Sequence, residues 1–160
     1  MNKLLWAPWR EKVIYQKKHQ RCIFCVKPKE NKDRKNYIFS KRRHTFAMLN
    51  LYPYNNGHIL VAPHRHIRTL EALTPQELSA LIIHLQDSKK ILKRLLKPHG
   101  FNIGLNEGQA AGAGFENHIH FHLVPRWNGD TNYMPVFSRT KVISESLDAL
   151  YEKMIHVDAH

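Results

Sequence analysis

The sequence predicts an α+β fold: an antiparallel sheet of about five strands with one long helix and a short C-terminal helix. Three observations support this prediction. Short apolar runs separated by turn residues occur before residue 65 and after residue 100, residues 74–97 have helical periodicity, and a late run alternates histidine with apolar residues. A chain of 160 residues can bury one core, so we expect a single domain over residues 1–160.

The N-terminal segment, about residues 1–35, is predicted to be a basic arm. Residues 1–43 hold 14 Lys and Arg against 3 Asp and Glu, a net +11, whereas the remaining residues hold 11 against 10. We expect irregular structure over 1–21 and an exposed polar loop over 26–35. Such charge can attract nucleic acid or a small polyanion, or simply be solvated. The absence of a helix-turn-helix or aromatic RNA-binding pattern disfavours nucleic acid as the partner.

The apolar runs and the two cysteines indicate the compartment. No run approaches the length of a membrane span, and the first residues lack the apolar stretch of a secretory signal, so we expect a cytoplasmic protein with no membrane partner. Cys22 and Cys25 are spaced Cys-x-x-Cys, which in that compartment is typical of a metal knuckle or a redox pair. Two reduced, partly buried thiols are the plain alternative.

Three strands are predicted in the first half of the chain. Residues 36–39 and 45–49 are short apolar runs on either side of a hairpin turn at 40–44. The turn-rich loop 50–57 then leads into a continuous apolar run at 58–63. Because the links are short, antiparallel pairing is expected.

The long helix has a clear start signal. Thr74 can cap it, Pro75 suits its first position, and Glu77 completes a capping box. One apolar face continues to about residue 97, where a proline and a glycine end the helix. The remaining predicted elements are a strand at 101–105, the histidine strand at 117–126 and a helix at about 144–156.

The histidine strand carries the chemistry. His118, His120 and His122 alternate with apolar residues, which places all three imidazoles on one strand face. Such rings can bind a metal, bind phosphate or present a nucleophile, or they are merely tolerated on a solvated face. The small-residue loop 104–114 before them can bring backbone N–H groups to an anion, or is only a flexible connection.

These motifs resemble the histidine triad superfamily of nucleotide hydrolases and transferases. The bacterial diadenosine tetraphosphate phosphorylase and hydrolase branch is the most similar. The residues that carry the resemblance are Leu5 to Arg10, Cys22-x-x-Cys25, Asn50, Gly57 to Val61, Asn106 to Gly112, His118-x-His120-x-His122 with Pro125-Arg126, and Trp127 to Val136.

The resemblance implies an enzyme that cleaves dinucleoside polyphosphates at the α-phosphorus. His120 would be the nucleophile and form a nucleotidyl-histidine intermediate, with its second nitrogen bonded to the carbonyl of His118. His122 and His58 would contact the non-bridging phosphate oxygens. The substrate-binding residues implied are Asn50 at the ribose, Asn106, Gly112, Gly114 and His122, although Asn50 is equally consistent with a turn residue.

The resemblance also implies a structural zinc ion and a homodimer. The zinc ligands would be Cys22, Cys25, His66 and His118, with His64 and His44 as alternatives to His66. This sequence departs from the family pattern at Gly114, which falls where some eukaryotic relatives carry a polar side chain that assists the leaving group.

Two other functions fit the same residues. The three histidines could together hold a catalytic iron or zinc ion in a small β-barrel, which requires further ligands on another strand. Alternatively, the chain could be a nucleotide sensor or a basic nucleic-acid-binding protein without turnover.

Overall fold

The computed structural model describes residues 21–131 and 143–157. The irregular arm predicted over residues 1–21 therefore lies almost wholly outside the described part. In chain order the elements are α1 (Ile23–Val26), α2 (Asp33–Asn36), β1 (Ile38–Lys41), β2 (Thr45–Leu49), β3 (Ile59–Pro63), α3 (Pro75–Leu96), β4 (Gly100–Leu105), β5 (Phe121–Arg126) and α4 (Leu147–Val157).

The five strands form one sheet in the order β1-β2-β3-β5-β4, and every neighbouring pair is antiparallel. The predicted five-stranded sheet, long helix and short terminal helix are therefore confirmed. The short loop between β1 and β2 closes with the Arg42 N–H donating to the Thr45 carbonyl at 2.8 Å. In the middle of the sheet His122 lies opposite Leu60 of β3 and Gly104 of β4.

Each face of the sheet has its own apolar cluster. The face against α3 and α4 holds the larger one, formed by Ala47, Leu49, Ile59, Val61, Leu81, Leu85, Ile91, Leu92, Leu123, Leu150, Tyr151 and Met154. The opposite face holds Phe24, Ile38, Phe46, Met48, Leu60 and Ala62. Because side chains alternate along a strand, Leu60 and the facing His122 lie on this second face. The second cluster therefore borders the triad.

The predicted capping box of α3 is present. Thr74 Oγ1 accepts from the Glu77 N–H at 3.2 Å, and the Glu77 carboxylate accepts from the Thr74 N–H at 2.9 Å. Arg65 adds two hydrogen bonds to the same carboxylate, at 2.8 and 2.6 Å, and holds the pKa of Glu77 down to about 2. The helix ends at Leu96, and Lys97 adopts the left-handed conformation before Pro98.

The stretch 26–35, predicted as a loop, contains helical turns. A 3-10 turn spans Lys27–Lys29, and α2 follows. The buried Asn36 links them, because its amide donates to the Glu30 carboxylate at 2.9 Å and to the Lys27 carbonyl at 3.5 Å. Side-chain bonds of this kind order polar segments that have no apolar periodicity.

The histidine strand is shorter than predicted. Regular pairing in β5 begins at Phe121, so His118 and His120 precede the strand. The backbone there bonds elsewhere, since the Ile119 N–H donates to the Ile67 carbonyl at 2.7 Å. A contact with the segment after β3 replaces the ladder at this point.

Gly57 is required by both its backbone and its surroundings. Its φ is +73°, and a Cβ there would lie 2.6 Å from Leu96 Cδ1 and 3.1 Å from Leu92 Cδ2. The turn before β3 therefore packs on the end of α3 with no room for a side chain.

None of the helices in the described ranges is both long and apolar enough to span a membrane.

Candidate active site and metal centre

Four histidines from two neighbouring segments meet beside β5. His58 directly precedes β3, His122 lies within β5, and His118 and His120 lie in the extended segment before it. His58, His118 and His120 are buried, and His122 is half-buried. The ring centroids of His120 and His122 are 5.0 Å apart, and those of His58 and His122 are 5.1 Å apart.

The tautomer of His120 follows from its backbone partner. Its Nδ1 lies 2.9 Å from the carbonyl oxygen of His118. A carbonyl only accepts, so Nδ1 carries the proton and Nε2 keeps a lone pair. Burial lowers the pKa of His120, and the carbonyl bond partly opposes that shift. The ring is therefore neutral near pH 7 and has one unprotonated nitrogen.

His58 has the opposite tautomer. Its Nδ1 accepts from the backbone N–H of Tyr54 at 3.0 Å, so its proton is on Nε2. That Nε2 donates to Nδ1 of His122 at 2.9 Å. Burial, followed by the nearby His122 and His120, lowers the pKa of His58 to about 3. When His122 is neutral, its own proton is consequently on Nε2.

The predicted ribose contact, Asn50, belongs to the same network. Its Oδ1 accepts from the Tyr52 N–H at 3.0 Å, and its Nδ2 lies 3.2 Å from Nδ1 of His58. Asn50 therefore orders the turn before β3 and adds a second donor to His58. The ribose contact stays a prediction.

The four predicted zinc ligands lie together. Nδ1 of His118 is 3.3 Å from Sγ of Cys22 and 3.5 Å from Sγ of Cys25, and Nδ1 of His66 is 3.2 Å from Sγ of Cys25. All four ligand atoms lie within 4.8 Å of one another. Two thiols and two imidazoles form the donor set of a closed tetrahedral zinc site.

The second nitrogen of His118 supports this assignment. Its Nε2 donates to the carbonyl of Pro63 at 3.0 Å, which leaves the lone pair on Nδ1, beside the thiols. Burial lowers the pKa of His118 to about 4, so the ring is neutral and suited to a metal. Burial and the neighbouring Cys22 raise the pKa of Cys25 to about 11, so a metal must displace its proton.

Two alternatives from the sequence analysis concern metal binding: a different third ligand in the cysteine cluster, and a site formed by the three histidines. Nε2 of His64 bonds the Arg42 carbonyl at 2.9 Å, and His66 completes the cluster instead. Within the described ranges, the one group found that could hold a metal ion contains His118 but neither His120 nor His122. The three histidines thus do not converge on one metal.

The small-residue loop is an ordered, exposed turn. Gly112 has φ +80° and donates its N–H to the Gln109 carbonyl at 2.9 Å, and its own carbonyl accepts from Asn106 Nδ2 at 3.5 Å. The Glu107 carboxylate accepts from the Leu70 N–H at 2.9 Å, which ties the loop to the segment after β3. The Gly112 amide is thus engaged within the loop, while Gly114 is exposed and lies four residues before His118 in the chain.

The sequence analysis did not identify two residues that position the histidines of the site, Phe24 and Asp130. The ring of Phe24 stacks on His120, with centroids 4.6 Å apart and an interplanar angle of 27°. Asp130 accepts from Asn55 Nδ2 at 2.9 Å and from two nitrogens of Arg126 at 2.6 and 2.9 Å. These bonds tie the turn before His58 to the end of β5. An aromatic residue between two cysteines was the one signal available for Phe24.

Comparisons with known proteins agree with this geometry. The HIT domain family model matches residues 29–129. An AP-4-A phosphorylase of Mycobacterium tuberculosis is 41% identical over 115 residues, which are 72% of this chain and 59% of that protein. A bis(5'-nucleosyl)-tetraphosphatase (asymmetrical) of Schizosaccharomyces pombe is 30% identical over 115 residues, 71% of this chain and 63% of that protein. This chain therefore spans less than two thirds of the length of either relative.

A solved structure supports the fold over most of the chain. A hypothetical histidine triad nucleotide-binding protein from Sulfolobus tokodaii is similar with a TM-score of 0.67, at 26% identity, over 85% of this chain and 90% of that one. The family model covers more than half of the chain and includes all four histidines of the site. The chain therefore belongs to the HIT domain family.

Proposed function

We propose that this protein is a nucleotidyl hydrolase or transferase that cleaves dinucleoside polyphosphates, such as diadenosine tetraphosphate, at the α-phosphorus through a nucleotidyl-histidine intermediate. The observation that carries the proposal is the hydrogen bond from Nδ1 of His120 to the His118 carbonyl. It leaves a buried, neutral imidazole with its Nε2 lone pair available, which is the requirement for a nitrogen nucleophile. The activities named for the two relatives supply the substrate class.

In the first step Nε2 of His120 bonds to the α-phosphorus. The bond to the bridging oxygen breaks, and the departing polyphosphate keeps the electron pair. With diadenosine tetraphosphate the products of this step are ATP and adenylylated His120. The positive charge on the imidazole is offset by the Nδ1–H bond to the His118 carbonyl.

In the second step an acceptor oxygen attacks the same phosphorus and the phosphorus–nitrogen bond breaks. Water gives AMP, and inorganic phosphate gives ADP. The Nε2–H group of His122 stabilises charge on the non-bridging oxygens. His58 acts through His122 and not by its own contact with phosphate, because its Nε2 donates to Nδ1 of His122 and directs the His122 proton to Nε2. Asn106 and the exposed backbone of Gly114 contribute further contacts to the phosphates, whereas a contact from the Gly112 amide requires that group to leave the Gln109 carbonyl.

The cluster Cys22, Cys25, His66 and His118 is proposed to hold zinc. When bound, the ion supplies a structural cross-link between α1, the segment after β3 and the segment before β5. It takes no part in the phosphorus chemistry.

A homodimer in the cytoplasm completes the proposal. In the described part of the chain β4 is an edge strand of the sheet, and Ile103 within it is 50% exposed, which provides an edge and apolar surface for a second copy. Analytical ultracentrifugation of the wild type against Ile103→Lys tests this point. A monomer in both samples would contradict it.

The central experiment incubates the purified protein with diadenosine tetraphosphate, with and without inorganic phosphate, and separates the nucleotides. ATP with ADP only in the presence of phosphate identifies a phosphorylase, and ATP with AMP in its absence identifies a hydrolase. Intact-mass measurement after a rapid quench detects the adenylylated protein. Replacement His120→Ala should lower turnover by about 10³-fold or more.

The matched control is His156→Ala, since His156 is an exposed histidine on α4. It should leave turnover unchanged. Formation of two ADP would contradict attack at the α-phosphorus. Nucleotide binding with neither turnover nor an adenylylated protein would identify a sensor instead.

A further inference from the structure

Phe24 lies between the cysteine pair and the nucleophile. It is 1% exposed, and it belongs to α1, directly before Cys25. The backbone N–H of Cys25 and that of Val26 both donate to the Cys22 carbonyl, at 3.0 and 3.1 Å. This tight turn leaves Phe24 little freedom, because Cys22, two residues before it, and Cys25, directly after it, belong to the metal cluster.

The ring of Phe24 contacts the triad directly. Its centroid is 4.6 Å from that of His120 at 27°, and 5.2 Å from that of His118 at 39°. Phe115 makes an edge-to-face contact with Phe24, with ring centroids 5.8 Å apart and an interplanar angle of 83°. The imidazole of His120 is therefore held at one atom by a carbonyl and across its face by an aromatic ring.

These two restraints act on different motions. The hydrogen bond to the His118 carbonyl selects the Nδ1–H tautomer, but by itself it allows the ring to tilt about that contact. A tilted ring weakens the bond, because hydrogen bonds weaken steeply with angle, and so loses the preference for that tautomer. A stacked neighbour opposes the tilt and so fixes the direction of Nε2. The aromatic face also attracts a cation, and His120 becomes cationic when its Nε2 bonds to phosphorus. The attraction to the cation is larger in the transition state than in the substrate complex, because the positive charge develops as the bond forms.

We propose that Phe24 is a positioning residue for His120, that its ring face aims and stabilises the nucleophile, and that the two cysteines of the metal cluster hold Phe24 in place. The proposal deepens the nucleotidyl-histidine function and rests on it for its kinetic consequences. It couples two parts of the site that have separate chemical tasks. Metal binding thereby becomes a determinant of nucleophile geometry without any contact between the metal and substrate.

The kinetic test compares Phe24→Leu with Phe46→Leu. Both residues are buried aromatics of the same cluster, but Phe46 stacks on His64 and not on a triad histidine. Leucine keeps most of the apolar volume and removes the flat face. Phe24→Leu should lower kcat and the single-turnover rate of adenylylation about tenfold at unchanged KM, and Phe46→Leu less than about threefold.

A spectroscopic test is independent of activity. In the wild type, ¹⁵N shifts of His120 should report a single Nδ1–H tautomer. Phe24→Leu should give a mixture of tautomers while keeping the thiolate-to-metal absorption of the Co²⁺-loaded cluster. Removal of the metal from the wild type by a chelator should give the same mixture.

Equal kcat for the two leucine variants, or an unchanged His120 tautomer in Phe24→Leu, would overturn the proposal. A metal-free wild type that keeps the pure tautomer would overturn the link to the cysteines. If the wild type shows no turnover at all, the proposed function fails, and the ¹⁵N comparison still decides whether Phe24 positions His120.

Discussion

His118 and His120 are two residues apart, yet they present opposite ring nitrogens. His118 donates Nε2–H to the Pro63 carbonyl and turns Nδ1 toward the thiols, whereas His120 donates Nδ1–H to the His118 carbonyl and keeps Nε2 free. The first arrangement suits a metal and the second suits phosphorus. A backbone oxygen sets the tautomer of each ring, so two histidines two positions apart are suited to different tasks.

The site has two parts. The metal end is the cluster Cys22, Cys25, His66 and His118, and the phosphate end is the network of Asn50, Tyr54, His58 and His122. The two parts differ in how far apart their members lie in the sequence. The metal end joins Cys22 to His118, which are 96 residues apart. The phosphate end is partly local, since Tyr54 and His58 are four residues apart and Asn50 lies within the same turn. Damage at the metal end should therefore affect stability as well as turnover, and damage at the phosphate end should affect turnover alone.

Loss of the metal should have the largest effect on stability. A ligand present at a thousandfold above its Kd stabilises the native state by about 4 kcal/mol, so removal of zinc should lower the free energy of unfolding by a similar amount. Cys25→Ser should reproduce this loss and abolish stoichiometric zinc. Chemical denaturation with metal analysis measures both. Zinc-loaded wild type and Cys25→Ser with equal stability would argue that the cluster holds no structural metal.

Loss of the His58 donor should affect turnover instead. His58→Leu removes the hydrogen bond to Nδ1 of His122 and should lower kcat by about 10²-fold, with zinc content unchanged. His58→Gln is the matched variant, because its amide nitrogen can take the place of Nε2 and restore part of the rate. Steady-state kinetics separates kcat from KM. Equal losses in the two variants would show that donation to His122 is not what His58 supplies.

A fourth buried histidine, His84, lies outside both parts of the site and provides a contrast in pH dependence. Its Nδ1 is 2.8 Å from Thr45 Oγ1, and Arg42, Asp87 and His64 are the titratable groups near it. Burial, followed by Arg42, lowers the pKa of His84 to about 4, from 6.5 when unfolded. Between those values the unfolded chain binds a proton that the native chain does not, so stability falls as the pH falls.

The expected slope from His84 alone is about 1.4 kcal/mol per pH unit between pH 6.5 and 4, and zero above that range. His84→Gln should flatten the dependence of the unfolding free energy on pH by this amount, with zinc content and kcat at pH 7 unchanged. Urea titrations at several pH values measure the slope. An unchanged slope would assign the acid instability to other groups, such as His58.

The sequence predicted the parts of the fold that depend on local pattern. The run at 45–49 and the capping box at Thr74 and Glu77 fall at their predicted positions, because periodicity and side-chain caps act over a few residues. The start of β5 was predicted four residues early, since the bond from Ile119 to Ile67 cannot be seen in alternation. The stacking of Phe24 on His120 was missed because no local pattern encodes a contact across 96 residues.

For the site residues, too, local pattern identified some features and tertiary contacts determined the rest. The alternation of His118, His120 and His122 identified the triad and placed all three rings on one strand face, but it did not assign a task to each ring. Their different tautomers depend on carbonyls and amides that only the folded chain brings near, and Pro63 is the clearest case. Sequence reasoning thus found the reactive groups, and tertiary hydrogen bonds assign what each nitrogen does.

The smallest predicted effect concerns Asn50, and it distinguishes two roles. Its Nδ2 shares the lone pair on Nδ1 of His58 with the Tyr54 N–H, so the stronger backbone donor remains after Asn50→Ala. A single neutral hydrogen bond contributes about 1 kcal/mol, which corresponds to roughly a fivefold loss. If Asn50 acts through His58, that loss appears in kcat. If it contacts the ribose in substrate and transition state alike, the loss appears in KM.

Asn56→Ala is the matched control for this measurement. Asn56 lies in the same turn, but its amide donates to Glu145 at 3.4 Å and not to a histidine. It should change neither parameter. A loss in Asn56→Ala equal to that in Asn50→Ala would mean that the turn as a whole is sensitive. The bond from Asn50 to His58 would then have no specific role. Of the two groups that donate to Nδ1 of His58, only the Tyr54 N–H would matter for turnover.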